Sequence, residues 1–332
     1  MHLNRPQLTD RFGRSFDYLR IAVAEKCNLR CIYCMPEKGM DFQPNHKLLS
    51  AAEIQRILTV TAELGVKKVR FTGGEPLIRK DILQIIKDAR AISGIEEVHL
   101  TTNGLLLHKV LPQLSEIGIS GINISLDTLD AARFLKLTRR EGLETVLNNI
   151  KLALATGIPK IKLNMVVLKE FNSDEILPFV ELTRELPLTV RFIELMPFDD
   201  YQIWETGQFL SAKAILKIVQ NAYPDLSENQ GTPTEFYHYE LPGHVGQVAV
   251  IPAFSRDMCG SCNRIRLTAD GRIMNCLYAQ DEFNLRDIMR NKGTDKQIAR
   301  IFQTAMMLKA KDGFATQKIT PTKRSSMSMI GG

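Results

Sequence analysis

The chain has 332 residues, enough for about two domains or for one barrel with an appendage. Apolar residues at 44% and charged residues at 24% are those of a soluble globular chain with a sizeable core, and no apolar run approaches the roughly 20 residues a bilayer requires. Lys and Arg exceed Asp and Glu by 43 − 37 = 6, a surplus spread along the chain that reads as a mixed solvated surface rather than as a nucleic-acid face.

The N-terminus, MHLNRPQLTDRFGR, carries no hydrophobic segment of a secretory signal, so a cytoplasmic protein is expected. From Tyr18 to Leu195 two periods alternate. Strand-like runs at 18–24, 67–73, 98–102, 119–126, 160–168 and 188–195 are separated by stretches that include helical patterns at 50–65, 81–92 and 142–157. Ser50 and Glu53 form a capping box, and Gly65 and Gly157 sit where helices stop. Strand-then-helix units of about 30 residues predict a parallel α/β fold.

Polar clusters follow the predicted strands: Cys27–Cys34 the first, GGEP (73–76) the second, TTNG (101–104) the third, SLD (125–127) the fourth and ELMP (194–197) the sixth. All sit at carboxyl ends, where β/α barrels place their active sites. Six units cannot close the usual eight-fold barrel, so residues 1–197 are expected to form a partial, open (βα)6 TIM-like barrel. Beyond it the alternation stops. A looser stretch with Pro224, Pro233 and Pro242 leads to short strands at 235–239, 246–251, 264–268 and 272–275, then a helix over 296–309 and the tail KRSSMSMIGG. Residues 198–332 are read as an α+β module that covers the open side.

The six cysteines fall into two triplets, Cys27, Cys31, Cys34 (C-x₃-C-x₂-C) and Cys259, Cys262, Cys276 (C-x₂-C-x₁₃-C). In a cytosolic protein such clusters bind metal or do redox chemistry more often than they pair as disulfides. Three thiolates can hold three irons of a four-iron, four-sulfide cluster and leave the fourth iron open to a ligand. The alternative for the first triplet is zinc with a borrowed ligand such as His46, although zinc more often shows C-x₂-C pairs; for the second it is a zinc ribbon. Charged residues also lie where a strand covered on both faces would be apolar: Arg20, Lys68, Arg70, Lys162 and Arg191. Arg264 and Arg266, two apart, share one strand face and suit phosphate oxygens. Asp127 could orient a ribose hydroxyl or cap a helix, and Glu75 could bind a cofactor amino group or hold its turn, the turn being slightly favoured.

C-x₃-C-x₂-C after the first strand, with GGEP one strand later, resembles the radical S-adenosylmethionine (SAM) enzymes. Within that superfamily LTDRFGR (8–14), CNLRCIYCMP (27–36), RFTGGEPLIRKD (70–81), INISLDTLD (122–130), RFIELMPF (191–198), CNRIRLTADG (262–271) and the terminal MSMIGG together resemble the GTP 3′,8-cyclase family of molybdenum cofactor biosynthesis. The resemblance implies two [4Fe-4S] clusters, the first on Cys27, Cys31 and Cys34, the second on Cys259, Cys262 and Cys276. It implies that Tyr33, Gly74, Ser125 and Met196 contact SAM. It further implies that Arg20, Arg70, Thr101, Lys162, Arg264 and Arg266, with weaker claims for Lys68 and Arg191, hold GTP.

The expected chemistry is abstraction of the 3′ hydrogen of GTP by a 5′-deoxyadenosyl radical and attack of C3′ on guanine C8, with Gly331 and Gly332 reaching into the site. A homodimer, an external electron donor and a downstream cyclic pyranopterin monophosphate synthase that receives the product are also implied, without nucleic acid or membrane. The chain departs from the family at Ala22, Ala24, Glu25 and Leu195. The competing readings are a peptide-modifying two-cluster radical SAM enzyme and a zinc-dependent nucleic-acid-binding protein. The latter is disfavoured by an aromatic content of 7% with no interleaving among basic residues.

Overall fold

The computed structural model describes residues 7–36, 40–196, 208–229, 237–255, 259–279 and 283–319. Six parallel strands form its centre: β1 (Tyr18–Ala24), β2 (Lys68–Gly73), β3 (Glu97–Thr102), β4 (Gly121–Ser125), β5 (Ile161–Val167) and β6 (Thr189–Glu194). They match the alternating segments read from the sequence. The later part of the chain adds β7 (Ser227–Asn229), β8 (Tyr237–Glu240), β9 (Gln247–Ile251), β10 (Arg264–Leu267), β11 (Arg272–Met274) and β12 (Phe283–Asn284). The strands make one sheet, in the order β12-β11-β10-β1-β2-β3-β4-β5-β6-β9-β8-β7.

This order refines the expected architecture. β9 runs parallel to β6 and β10 parallel to β1, so the C-terminal part prolongs the barrel sheet at both edges. Antiparallel partners then finish each edge, β8 and β7 on one side and β11 and β12 on the other. The C-terminal part thus continues the first sheet instead of packing a sheet of its own against it.

Register divides the sheet chemically. One face carries Leu19, Phe71, Leu100, Ile124, Phe192 and Leu267, all fully buried against the surrounding helices. At about 1.5–3 kcal/mol for each such side chain, this face supplies the main stabilisation. The helix Ala51–Glu63 shows how the covering layer is built: the Ser50–Glu53 capping box starts it, and Ile54, Ile57 and Leu58 face the sheet. The opposite face is polar. Tyr18 pairs with Lys68 and Arg264, and Arg20 with Arg70 and Arg266, while Thr101 pairs with Asn123, Asn123 with Lys162, and Asn164 with Arg191. Among the described residues no helix is long and apolar enough to cross a membrane.

Candidate active site

The carboxyl ends of the parallel strands open onto a cavity of roughly 270 Å³. Cys27, Cys31, Tyr33, Cys34, Gly74, Ser125 and Met196 line its mouth. Arg20, Arg70, Thr101, Arg191, Arg264 and Arg266 line it further down the strands. Most of the residues expected to meet cofactor or nucleotide therefore share one space. A more open hollow lies at the other end of the strands, between Gly118 and Lys160, and gathers no comparable set of groups.

The cysteine loop is fixed by its neighbours. Gly74 N donates to Ala24 O at 2.7 Å and Glu75 N to Lys26 O at 2.8 Å, so the GGEP turn runs against the chain entering Cys27. That contact requires glycine: a Cβ at residue 74 would lie 2.3 Å from Lys26 O, and Gly73 holds φ +141°. Glu75 is 1% exposed and accepts from Leu77 N, Thr102 Oγ1 and Asn103 N at 3.0, 2.8 and 2.7 Å. It holds the turn, as read from the sequence, and burial pushes its carboxyl up to about 7 against those donors. Asn103 Nδ2 continues the chain to Asn28 Oδ1 at 2.7 Å and approaches Cys27 Sγ at 3.8 Å. On the far side Ile32 N donates to Leu137 O, and Leu137, Leu168 and Leu195 pack against Cys31, Ile32 and Tyr33. Leu195, one of the departures from the family pattern, thus serves as packing for the loop; another, Glu25, accepts from Gln43 N at 2.8 Å.

Tyr33 donates its hydroxyl to Asp127 Oδ2 at 2.6 Å, and Asp127 Oδ1 accepts from Val166 N at 2.8 Å. Asp127 is not a helix cap. Asp130 caps the following helix instead, accepting from Arg133 N. Burial, opposed by these two hydrogen bonds, raises the Asp127 carboxyl to about 6. Burial also pushes up the Cys27 thiol and, far more, Cys31, whose neighbours Cys34 and Cys27 add to the effect. Binding to a metal is what would hold such thiols as thiolates.

Below the cysteine loop lies a cationic floor. Burial, then the charges of Arg20 and Arg264, lower Arg266 to about 9, still protonated at neutral pH. Burial and Arg20 likewise lower Arg264. Arg191 is anchored by Asn164 Oδ1, which accepts from its Nε at 2.8 Å. Together these arginines concentrate positive charge on one buried face, and guanidinium forks suit phosphate or carboxylate oxygens. Two expected nucleotide ligands stand apart from this cavity. Lys68 pairs with Glu97 at 2.9 Å, and neither Lys68 nor Lys162 is among the residues lining the cavity, although both lie on the polar face.

The second triplet gathers beside β10. Burial, then Cys276 and Cys262, raise the Cys259 thiol, whereas Lys309, Arg264 and Arg14 outweigh burial at Cys262 and lower it. Arg14 ties this region together, donating to the carbonyls of Cys259, Lys311 and Ala310 at 3.0, 2.8 and 2.7 Å. Among the described residues no three His, Cys, Asp or Glu side chains converge on a single metal ion. Gly331 and Gly332 lie outside the described residues.

Residues 21–183 match the family described as the Radical SAM superfamily, and residues 188–314 match Molybdenum Cofactor Synthesis C. Over 325 residues the chain is 46% identical to the GTP 3′,8-cyclase of Chlorobaculum tepidum, covering 98% of this chain and 97% of that one. The chain belongs to the GTP 3′,8-cyclase family. As a radical SAM protein it uses SAM and a [4Fe-4S] cluster. It is 40% identical to the mitochondrial GTP 3′,8-cyclase of Arabidopsis thaliana over 326 residues, 98% of this chain and 83% of that one. It is 45% identical to molybdenum cofactor biosynthesis protein 1 of Drosophila melanogaster over 306 residues, 92% of this chain but 54% of that protein. Among solved structures, Streptococcus suis SuiB bound to precursor peptide SuiA aligns with a TM-score of 0.62 at 16% identity, covering 95% of this chain and 76% of that one. That likeness shows the fold alone.

In this cyclase-family chain, sequence reasoning missed Asn28, Asn103 and Asn164, which orient the cysteine loop and Arg191, and Arg14, which braces the second triplet. Asn28 and Asn103 sit inside motifs already singled out. The only signal for Arg14 was its place in LTDRFGR.

Proposed function

We propose that the chain is a GTP 3′,8-cyclase, converting GTP to 3′,8-cyclo-7,8-dihydro-GTP in the first step of molybdenum cofactor biosynthesis. The observation that carries this reading is the shared cavity: a three-cysteine loop at its mouth and Arg20, Arg70, Arg191, Arg264 and Arg266 along its floor. The donor set fits the groups required. Cys27, Cys31 and Cys34 offer three thiols for a cluster with one open iron, and Gly74, packed against the chain that enters Cys27, lines the same mouth. Cys259, Cys262 and Cys276 form a second set of the same kind, and we assign a second cluster to it. When bound and reduced, the first cluster with SAM supplies a 5′-deoxyadenosyl radical able to take the 3′ hydrogen of the nucleotide.

The residues of the chain supply positioning. Tyr33, locked by Asp127, Ser125 and Met196 hold SAM at the mouth. The arginine floor binds the triphosphate, whose oxygens suit the guanidinium forks. Thr101 supplements these contacts. Lys68 and Lys162, set back from the cavity, act at most through the field of the floor. Residues 1–197 handle SAM and residues 198–332 bring the second cluster, with Gly331 and Gly332 reaching the site. The enzyme works as a cytoplasmic homodimer, takes its electron from an external donor and passes its product to cyclic pyranopterin monophosphate synthase.

Reconstituted protein, incubated anaerobically with SAM and a strong reductant, tests the reading. Formation of 5′-deoxyadenosine stimulated by GTP but not by ATP supports it. Formation independent of nucleotide keeps the superfamily but removes the substrate.

A further inference from the structure

Lys309 follows the helix Asp295–Met307 and is 4% exposed, the setting of a core side chain rather than of a surface ammonium. Its Nζ donates to Asn275 O, the carbonyl of the residue before Cys276, and lies 5.4 Å from the centroid of the buried Phe16 ring. The chain around it is pinned to the same triplet. Asn275 Nδ2 donates to Ala305 O at 3.2 Å, and Arg14 joins Ala310 O and Lys311 O to Cys259 O. Burying a charge is costly unless an opposing charge is buried with it. Nearby carboxylates are committed elsewhere. Asp10 pairs with Arg14 at 2.6 Å, and Asp312, which faces Cys259, accepts from Ala315 N at 2.7 Å. Among the described residues the ammonium meets a carbonyl and an aromatic ring, not a carboxylate. The groups it does face are thiols. Burial raises the Cys262 thiol, and of the charges that lower it Lys309 is the largest, ahead of Arg264 and Arg14. Arg264 and Arg266 face Cys262 as well, from the strand that also lines the cavity.

We propose, on the assignment of a second cluster to Cys259, Cys262 and Cys276, that Lys309 is the resident counter-cation of that cluster, a positioning residue whose charge retains the cluster and sets its reduction potential. A four-iron cluster on three thiolates is an anion, and one added electron makes it more so. Net charge and hydrogen bonds to the sulfurs are among the factors that set the potential of such clusters. A fixed buried cation beside the thiolates favours the reduced form. Arg14 cannot take this part, because Asp10 neutralises it. A neutral side chain could donate to Asn275 O as Lys309 does, but only a cation acts on the charge of the cluster.

Reductive titration of the anaerobic holoenzyme with dithionite, followed by electron paramagnetic resonance, reads both clusters in one sample. SAM alters the signal of the cluster it binds, so the signal that SAM leaves unchanged belongs to the second triplet. Lys309→Gln keeps a donor for Asn275 O and removes the charge, and in it the SAM-insensitive signal is expected at a more negative potential. At the wild-type midpoint the ratio of reduced to oxidised second cluster should fall about tenfold, ~59 mV for a one-electron couple, while the SAM-sensitive signal stays in place. Lys309→Arg should keep the wild-type value. Loss of the second signal and its iron in Lys309→Gln but not in Lys309→Arg supports the same role through retention of the cluster. An equal change in both variants, or none in either, overturns the role of Lys309 and leaves the second cluster standing. A wild type with about four irons per chain and no SAM-insensitive signal overturns the second cluster and the proposal together. Should Lys309→Gln fail to fold, Lys309→Arg decides, since a shifted second potential in a variant that retains the charge refutes the proposal.

Discussion

Replacing Gly74 by alanine places one methyl group where two loops of the active site meet. The new Cβ would lie 2.3 Å from Lys26 O and 2.4 Å from Glu25 O. Both are main-chain atoms of the segment entering Cys27, so no side-chain rotation relieves the contact; the cysteine loop has to move away from GGEP. The hydrogen bonds Gly74 N–Ala24 O and Glu75 N–Lys26 O join the same two segments. Losing them removes about 0.5–1.5 kcal/mol each, and the overpacking adds about 1–3 kcal/mol. The expected total is about 3 kcal/mol of stability, together with loss of SAM cleavage because the cluster loop no longer faces the cavity. Urea unfolding of anaerobically reconstituted protein, paired with a 5′-deoxyadenosine assay, measures both. Gly260→Ala, beside Cys259 but with nothing within 4 Å of the added carbon, is the control. It should shift stability by no more than about 0.5 kcal/mol. A Gly74→Ala protein with wild-type stability and wild-type SAM cleavage would refute the reasoning.

Tyr33→Phe strips the hydroxyl from a buried carboxylate and should cost about 1–3 kcal/mol; SAM affinity, measured by equilibrium dialysis, is expected to weaken while iron content holds, and unchanged affinity would show that Asp127 does not position the ring. His99 is drawn down to about 3, first by burial and then by Arg70 and Lys68 against the pull of Glu97. The unfolded chain therefore binds the extra proton first, so acidification from pH 7 to 5 should remove about 2 kcal/mol from this group. His99→Gln is expected to flatten that slope in urea titrations, and an equal slope in both proteins contradicts the assignment. Cys262→Ala should drop iron from roughly eight to roughly four per chain while SAM cleavage persists and the cyclised product disappears; normal product yield would make the second triplet structural.

The central sheet was legible because each parallel strand pairs a β-rich run with a polar cluster at its carboxyl end. The alternation of Arg20, Arg70 and Arg266 with Leu19, Phe71 and Leu267 is a local pattern that chain order alone reveals. Three helices within the barrel region were not assigned, Leu111–Ile117, Ala131–Thr138 and Ile176–Glu185. They are short, and Pro112 and Pro178 sit in the first turn of two of them, where proline reads as punctuation though it is tolerated. The attachment of β9 to β6 and of β10 to β1 depends on pairing between distant segments, which no local period encodes. The same limit explains Lys68. Its partner Glu97 begins a neighbouring strand that the apolar pattern starts one residue later, so the ion pair of Lys68 is not visible in the sequence. Asp127 illustrates the converse: the residue was noticed, but only the fold brings Tyr33 to it and gives the capping role to Asp130.

The most direct test of the account follows one hydrogen atom. Anaerobic turnover with SAM, reductant and GTP deuterated at C3′ should yield 5′-deoxyadenosine that carries deuterium, alongside the cyclised nucleotide. Deoxyadenosine free of deuterium, from protein with both clusters confirmed and GTP bound, would contradict the claim that this cavity aims the cofactor radical at the 3′ position.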